Sequence, residues 1–331
     1  MDGGGTYGQK FKYSNKRRIH GLQLPLNLQQ FSLWGVFLLT LLINFLLLVK
    51  IQFDVLEVVS FIIFLVLYGC HVVSHMFAMI LDPGEEELRK RNTIDVPEFD
   101  RHIHTHVIEN GRCHLCNIYT TDKKTKHCGI CNKCVYRFDH HCKWLNNCVG
   151  KRNYFAFIGC VCTALLISLF TSCLCIIDIV SFYKNPLYLG VTTQNYINCT
   201  SIDGGYYFKY CANSIYFLIF LVIYLSCGIA ITFALLHLFC FHVYISILGI
   251  STYEYIIRNK STTFRFRCIR VPNLYIISKS KDTQRKRTEL SKNVPTVTNL
   301  VGVLLNYELE KAKKIINYNN KIHPTQEIVA N

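Results

Sequence analysis

Four long apolar runs divide the chain, and the polar segments between them carry nearly all of its charge. Phe31 to Val49 is the first run, 19 residues with no ionisable side chain. As a helix it is about 28 Å long, the thickness of a bilayer's hydrocarbon core. Val58 to Leu81 is the second, with His71 and His75 as its only titratable groups apart from Cys70 and Tyr68. A third runs from Tyr154 to about Val180, with Asp178 near its far end, and a fourth from Ser214 to about Phe241. The pattern predicts an all-α membrane protein of four transmembrane helices, with a small cysteine-rich domain between helices 2 and 3. The expected divisions are an arm at 1–30, helices 1 and 2 at 31–81, the cysteine-rich domain at 82–153, helices 3 and 4 at 154–241 with a loop at 181–213, and a tail at 242–331.

Charge orients this bundle. Of the 36 Lys and Arg residues, 33 lie in the arm, the 82–153 segment and the tail, and only Lys50, Lys184 and Lys209 lie elsewhere. An excess of Lys and Arg marks the cytoplasmic side of a membrane protein, so both termini and the cysteine-rich domain are expected to be cytosolic. The formal net charge of +15 then belongs to one face, suited to an anionic leaflet and to an anionic cofactor. It requires no nucleic acid. The first 30 residues hold Lys10, Lys12, Lys16, Arg17 and Arg18 without a long apolar core, and position 2 is Asp. Neither a cleavable secretory signal nor N-myristoylation is expected, and the arm reads as disordered.

The chemistry is concentrated in the 36 residues from Cys113 to Cys148, which hold seven of the 17 cysteines and four of the 13 histidines. Four ligand pairs can be read: Cys113 with Cys116, His127 with Cys128, Cys131 with Cys134, and His141 with Cys148. Structural zinc takes four Cys or His ligands in a tetrahedron, so eight ligands make two closed sites. Apart from His114, a possible rival ligand, this leaves His140 and Cys142 over. A reduced Cys beside a His that follows an Asp is the arrangement of an activated thiolate, with Asp139 orienting, His140 taking the proton and Cys142 attacking. Lys143 follows directly, and a nearby ammonium favours the thiolate.

Elsewhere the histidines and cysteines read more quietly. His71 and His75 lie at i and i+4, one helix face, as a metal pair or a polar contact in the bundle. The polar contact is preferred, since no third ligand is apparent nearby in the sequence. Cys70, Cys160, Cys162, Cys173, Cys175, Cys227 and Cys240 lie in or beside the apolar runs as small packing residues. In the 181–213 loop Cys199 and Cys211 either pair or stay free. Asn198-Cys199-Thr200 is a glycosylation sequon, usable only if that loop is luminal. Cys268, in the tail, reads as an inert thiol or, alternatively, as a site acylated in its own right.

The pattern of CxxC, a spacer, HCxxCxxC, then Asp139-His140-His141-Cys142 and a final Cys six residues on resembles the DHHC-type protein S-acyltransferases, the palmitoyltransferases. The continuation from Lys143 to Tyr154 is similar to a subgroup reading DHHCKW-x-NNCVGxRNY. The resemblance implies two interleaved structural Zn2+ sites, one of Cys113, Cys116, His127 and Cys134, the other of Cys128, Cys131, His141 and Cys148. It also implies acyl transfer from palmitoyl-CoA to the cytosolic cysteines of membrane-associated proteins through an acyl-enzyme on Cys142. Asp82-Pro83-Gly84 matches the family's DPG, and Ser251-Thr252-Tyr253-Glu254 its TTxE, which makes Asp82, Thr252 and Glu254 supporting residues. Asn299-Leu300 with Val303-Leu304 is similar to its C-terminal motif. The chain departs from the family at Lys143, at Ser251 and in a Cys116–His127 spacer one residue longer than usual.

A long acyl tail belongs among the spans while the CoA head stays in water. Lys123, Lys124, Lys126 and Lys143 are either its phosphate-binding cations or a solvated charge run. The family implies an endomembrane location, endoplasmic reticulum or Golgi. Two other functions were weighed, a membrane-anchored zinc scaffold without turnover and a zinc-dependent ubiquitin ligase. The intact Asp139, His140, Cys142 triplet favours the enzyme.

Overall fold

The computed structural model describes residues 16–91, 94–97, 99–100, 102–202 and 205–267. Four of its helices are long and apolar enough to cross a membrane. The first is α1 (Leu28–Ile43), which passes through a π-helical turn, Asn44–Leu48, into α2 (Val49–Ile51). The others are α3 (Asp54–Ile80), α5 (Tyr154–Lys184) and α7 (Ala212–Ile247), with the short α4 (Glu86–Arg91) between α3 and α5. Each helix outruns its apolar stretch, by six residues at the end of α7. Hydropathy marks the part that meets lipid, whereas backbone hydrogen bonding continues until a cap or a turn ends it. Asn27 is such a cap at the start of α1, accepting from the backbone N–H of Gln29 while Gln30 reaches back to its own N–H.

Inside lipid, helices gain little from burying apolar surface against one another, so small residues and polar contacts hold a bundle together. This bundle follows that rule. A Cβ on Gly228 of α7 would stand 2.7 Å from the Ser172 hydroxyl of α5. Deeper in the bundle the buried amide of Asn44 donates to Tyr68 at 2.9 Å and to Thr171 at 3.0 Å, and accepts from Tyr224 at 2.8 Å. One side chain thus joins all four spans. The π-helical turn at Asn44 is where α1 admits it.

Among the described residues between α3 and α5, α4 is the only helix. The chain there also forms three small antiparallel units: β1 (Ile108–Glu109), β2 (Arg112–Cys113) and β3 (Ile118–Tyr119); β4 (Lys126–Cys128) with β5 (Lys133–Val135); and β6 (His140–Cys142) with β7 (Asn147–Val149). The 181–213 loop is likewise folded, with α6 (Val191–Tyr196) and a hairpin of β8 (Cys199–Ile202) and β9 (Gly205–Phe208). Cys199 and Cys211 are both free thiols there, so the alternative of a disulfide is not realised. The Cys211 sulfur instead faces the Ser214 hydroxyl at 3.3 Å at the start of α7. Beyond α7 comes α8 (Thr252–Arg267). Residues 259–331 form a second unit, of which only the end of α8 is described.

The expectation of a disordered arm over 1–30 fails for its second half. From Arg17 to Pro25 the backbone lies against the cysteine-rich domain and the end of α3. Arg17 N–H donates to Ile94 O, Arg18 N–H to Cys131 O, and Gly21 N–H to Met79 O at 2.7, 2.9 and 2.8 Å. The composition reading failed because these bonds use the main chain, which charge and glycine content do not report.

Asn44→Ala leaves the partners of a buried amide unsatisfied at about 1–3 kcal/mol. A fall in the thermal midpoint of detergent-purified protein, with the metal content unchanged, is the expected result.

Candidate active site

The three β units of the cysteine-rich domain repeat one local design. Their last strand pairs face Cys113 with Ile118, Cys128 with Lys133, and Cys142 with Asn147, each five residues apart. Each turn ends on an asparagine in the left-handed region, Asn117 (φ 49°), Asn132 (φ 51°) and Asn146 (φ 51°), a conformation that Asn tolerates better than most residues. Three residues after its first cysteine, each turn carries Cys116, Cys131 or Leu145. The first two belong to groups of ligand atoms that could hold a metal ion. In the third, the second cysteine is replaced by Leu145, which is buried in an apolar cluster with Met79, Val149 and Phe157. Cys142 therefore stands at a knuckle position without a partner thiol.

The other thiols converge. Cys113, Cys116, His127 and Cys134 form one group and Cys128, Cys131, His141 and Cys148 a second, with all ligand atoms of a group within 4.8 Å of one another. The His127 Nδ1 lies 3.6, 3.4 and 3.9 Å from its three sulfurs, and the His141 Nδ1 lies 3.8, 3.4 and 3.6 Å from its own. Ligands at zinc's bond lengths in a tetrahedron stand about 3.6 Å apart, so both groups fit zinc. Each group takes two ligands from one hairpin and two from the next, which interleaves them. His114 stands outside both groups, 3.2 Å from a Glu109 oxygen.

Beside the second group lies the triplet. Asp139 is 4% exposed, and its Oδ2 is 2.7 Å from His140 Nδ1. Thr252, the first residue of α8, donates its N–H to Oδ1 at 2.9 Å and its hydroxyl to Oδ2 at 2.7 Å. Burial pushes the Asp139 pKa up, but the bonds to His140 and Thr252 prevail and hold it below the ordinary carboxylate value. Burial likewise depresses His140, but the hydrogen bonds to Asp139 and to the Cys142 sulfur outweigh it and raise its pKa to about 9. The arrangement can hold a protonated His140 ring beside the Cys142 sulfur. Glu254 sits one step back, accepting from Ser251 N–H at 2.9 Å and facing Lys124 at 3.5 Å. Asp82 is elsewhere, paired at 2.6 Å with the fully buried Lys133 and capping Gly84 N–H. Asn299 lies outside the described residues.

Several residues at the site were not singled out from the sequence. Phe157 and His242 pack on the His140 ring, with centroids 5.3 and 5.9 Å away, and Tyr154 reaches His242 Nδ1 at 3.3 Å. Asn147 donates to the carbonyls of Met79 and Leu81, and Asn153 to that of Ala78. They satisfy the orphan carbonyls at the end of α3 and so tie the Cys142 hairpin to the membrane helix. Asn146 donates to Gly21 O and Pro25 O, while a Cβ on Gly21 would collide with the Leu145 carbonyl. The 17–25 strap thus backs the turn that follows Cys142. The run NNCVGKRNY was the available signal, but it names no partners.

One further reading is corrected. His71 and His75 do have a third donor near them, because α5 brings Cys160 to 3.4 Å from His75 Nδ1. An indole only donates, so Trp34 Nε1–H gives its proton to His75 Nε2, 3.3 Å away, and the Nδ1 proton faces Cys160. The pair makes polar contacts, as preferred, but with a partner 85 residues away. Lys123, Lys124 and Lys126 line a cavity of about 250 Å³ with Tyr253, Glu254 and Arg258. Lys143 is exposed on the Cys142 turn and does not line it.

Residues 106–259 match the family model described as DHHC palmitoyltransferase. Two human proteins, palmitoyltransferase ZDHHC11 and probable palmitoyltransferase ZDHHC11B, are 33% and 32% identical to this chain over 249 residues. The matched part is 73% of this chain, 60% of the first protein and 67% of the second. This chain belongs to the DHHC palmitoyltransferase family. A zebrafish (Danio rerio) palmitoyltransferase ZDHHC11 is 34% identical over 200 residues, 58% of this chain and 46% of that protein. The chain thus spans less than two thirds of the first of these relatives. Four apolar spans and this membership make it a multi-pass membrane protein.

Because Thr252 and Asp139 sustain the His140 imidazolium, Asp139→Asn leaves a neutral imidazole beside Cys142 at neutral pH. Alkylation of Cys142 by iodoacetamide at pH 7 should slow. Thr252→Val should show a smaller slowing in the same direction, roughly 10- to 100-fold at most, for the loss of a bond to a charged group.

Proposed function

We propose that the chain is a protein S-acyltransferase that moves a long-chain acyl group, palmitoyl, from acyl-CoA to protein cysteines through an acyl-enzyme on Cys142. The observation that carries this reading is the Asp139–His140–Cys142 chain beside two closed ligand sets that leave Cys142 out. In the first step the Cys142 thiolate attacks the thioester carbonyl carbon of the donor. The carbon–sulfur bond to CoA breaks and the CoA thiolate leaves with the His140 proton. In the second, a substrate cysteine attacks the Cys142 thioester, its proton passes to His140, and the Cys142 thiolate is regenerated. Both steps exchange one thioester for another, so positioning and thiolate supply are what the protein contributes.

The eight ligands hold two zinc ions whose contribution is to fold and fix the hairpins. His141 and Cys148 flank Cys142 in the same hairpin, so the second ion pins the nucleophile's strand pair. The donor's tail has a place among the spans. Met79 shares an apolar cluster with Cys142 and also lines a cavity of about 280 Å³ with Trp34 and His75. Leu33, Phe37 and His71 line both this cavity and a larger one of about 550 Å³ between α1, α3, α5 and α7. Burying an acyl chain there is worth about 0.8 kcal/mol per methylene. The cavity lined by Lys123, Lys124 and Lys126 supports their assignment to the CoA phosphates; Lys143, apart from it, stands near the thiol. The charge distribution supports a cytosolic face for the domain and both termini, in an endomembrane such as the endoplasmic reticulum or Golgi. The acceptors are membrane-associated proteins with cytosolic cysteines.

Incubation of the detergent-purified protein with clickable palmitoyl-CoA, followed by hydroxylamine, tests the reaction. Label that hydroxylamine removes is expected on the wild type and not on Cys142→Ala, which keeps two zinc ions per chain. Folded, zinc-loaded wild type that takes no label would favour the scaffold reading. His127→Ala should lose both zinc ions together, since the sets share the middle hairpin; a variant retaining one full equivalent contradicts that coupling.

A further inference from the structure

We infer that the cysteine-rich domain carries a third, exchangeable site for a divalent transition metal, made by His104, Glu109 and His114. It is separate from both cysteine-containing groups and does not depend on acyl transfer. The Glu109 Oε2 lies 3.2 Å from His114 Nε2 and 3.4 Å from His104 Nδ1, and the three ligand atoms all fall within 4.8 Å of one another. The carboxylate is thus within reach of both imidazoles, and a small reorientation of one ring brings all three ligand atoms around one ion at about 2.0–2.2 Å.

The carboxylate is oriented for this use. Its other oxygen accepts the backbone N–H of His106 at 2.8 Å, so Oε2 is the atom turned toward the imidazoles. Ligating carboxylates are held from behind in this way. The scaffold beneath is firm on one side only. Glu109 ends β1, paired with Arg112 of β2, and His114 follows the buried Cys113, whereas His104 lies on an irregular segment. His102 and His106 in the same His-Ile-His-Thr-His run offer replacement imidazoles close by.

The metal-free rings lie face to face, with centroids 3.5 Å apart and planes 14° from parallel. An ion must lie in the plane of each imidazole that binds it, so one ring has to swing out of the stack. His104 is about a third exposed and is the ring free to do so. Two imidazoles and one carboxylate leave a fourth position for water. Such a set suits Zn2+ and is more open than the three-thiolate groups, so its ion exchanges while theirs stay. Bound, it clips the segment before β1 to the first hairpin.

The test is metal counting on the full chain in detergent. Wild type equilibrated with micromolar free Zn2+ is expected to hold one equivalent beyond the two tightly bound ones, and brief exposure to a weak chelator should remove only that one. His104→Ala and Glu109→Gln, which touch no cysteine ligand, should each weaken the third equivalent at least about tenfold, the scale on which even an outer-shell change acts. With Co2+ in this position the added visible absorption should lack thiolate charge-transfer bands. A wild type that never exceeds two equivalents overturns the inference. So does a third equivalent that both variants retain, which would be scattered surface binding.

Discussion

Three thiols and an imidazole drawn to within a bond's reach of a common centre, twice over, are the constraint on which the polar part of this protein rests. The strands that carry them are two or three residues long and could not hold a shape in water by their own hydrogen bonds. Because each ligand set spans two hairpins, the three hairpins behave as one body. Its apolar content is small. The buried residues between the hairpins are largely the cysteines themselves, with Ile118, Val135 and Leu88.

A rigid body is useful here only if it is seated, and the seating is done by main-chain carbonyls. The last turn of α3 exposes carbonyls that a membrane surface would leave half-solvated. Asn147 and Asn153 take them, and the 17–25 strap takes the Met79 carbonyl from the other side. The Cys142 hairpin is thereby fixed against the apolar cluster of Met79, Leu145 and Phe157. Across from it, α7 and α8 bring His242 and Thr252 to His140 and Asp139. The triplet falls within four consecutive residues, but its electrostatics are set by residues about a hundred positions later.

The same division explains Cys142 itself. It occupies the first-cysteine place of a third knuckle, with Leu145 where its neighbours have Cys116 and Cys131. Cys142 thus shares the local geometry of cysteines that belong to a four-ligand group while standing outside both groups. The thiol is then buried beside an imidazole, in an apolar cluster with Met79 of α3 and Phe157 of α5.

Much of this was legible in the chain. The four spans follow from apolar runs, because lipid demands them, and both ligand sets and the triplet follow from spacing and resemblance, because their partners lie within a few tens of residues. Span ends were less legible, since hydropathy does not report where backbone bonding stops. What only the tertiary structure decided is every contact between distant segments: Cys160 at His75, Thr252 at Asp139, Lys133 buried on Asp82, the strap of 17–25 against the hairpins, and the separation of Lys143 from the other three lysines. The physical reason is the same in each case. Local spacing dictates which atoms a short segment can bring together, whereas a buried polar group takes whatever partner the packing of the helices delivers to it, and no pattern along the chain records that delivery.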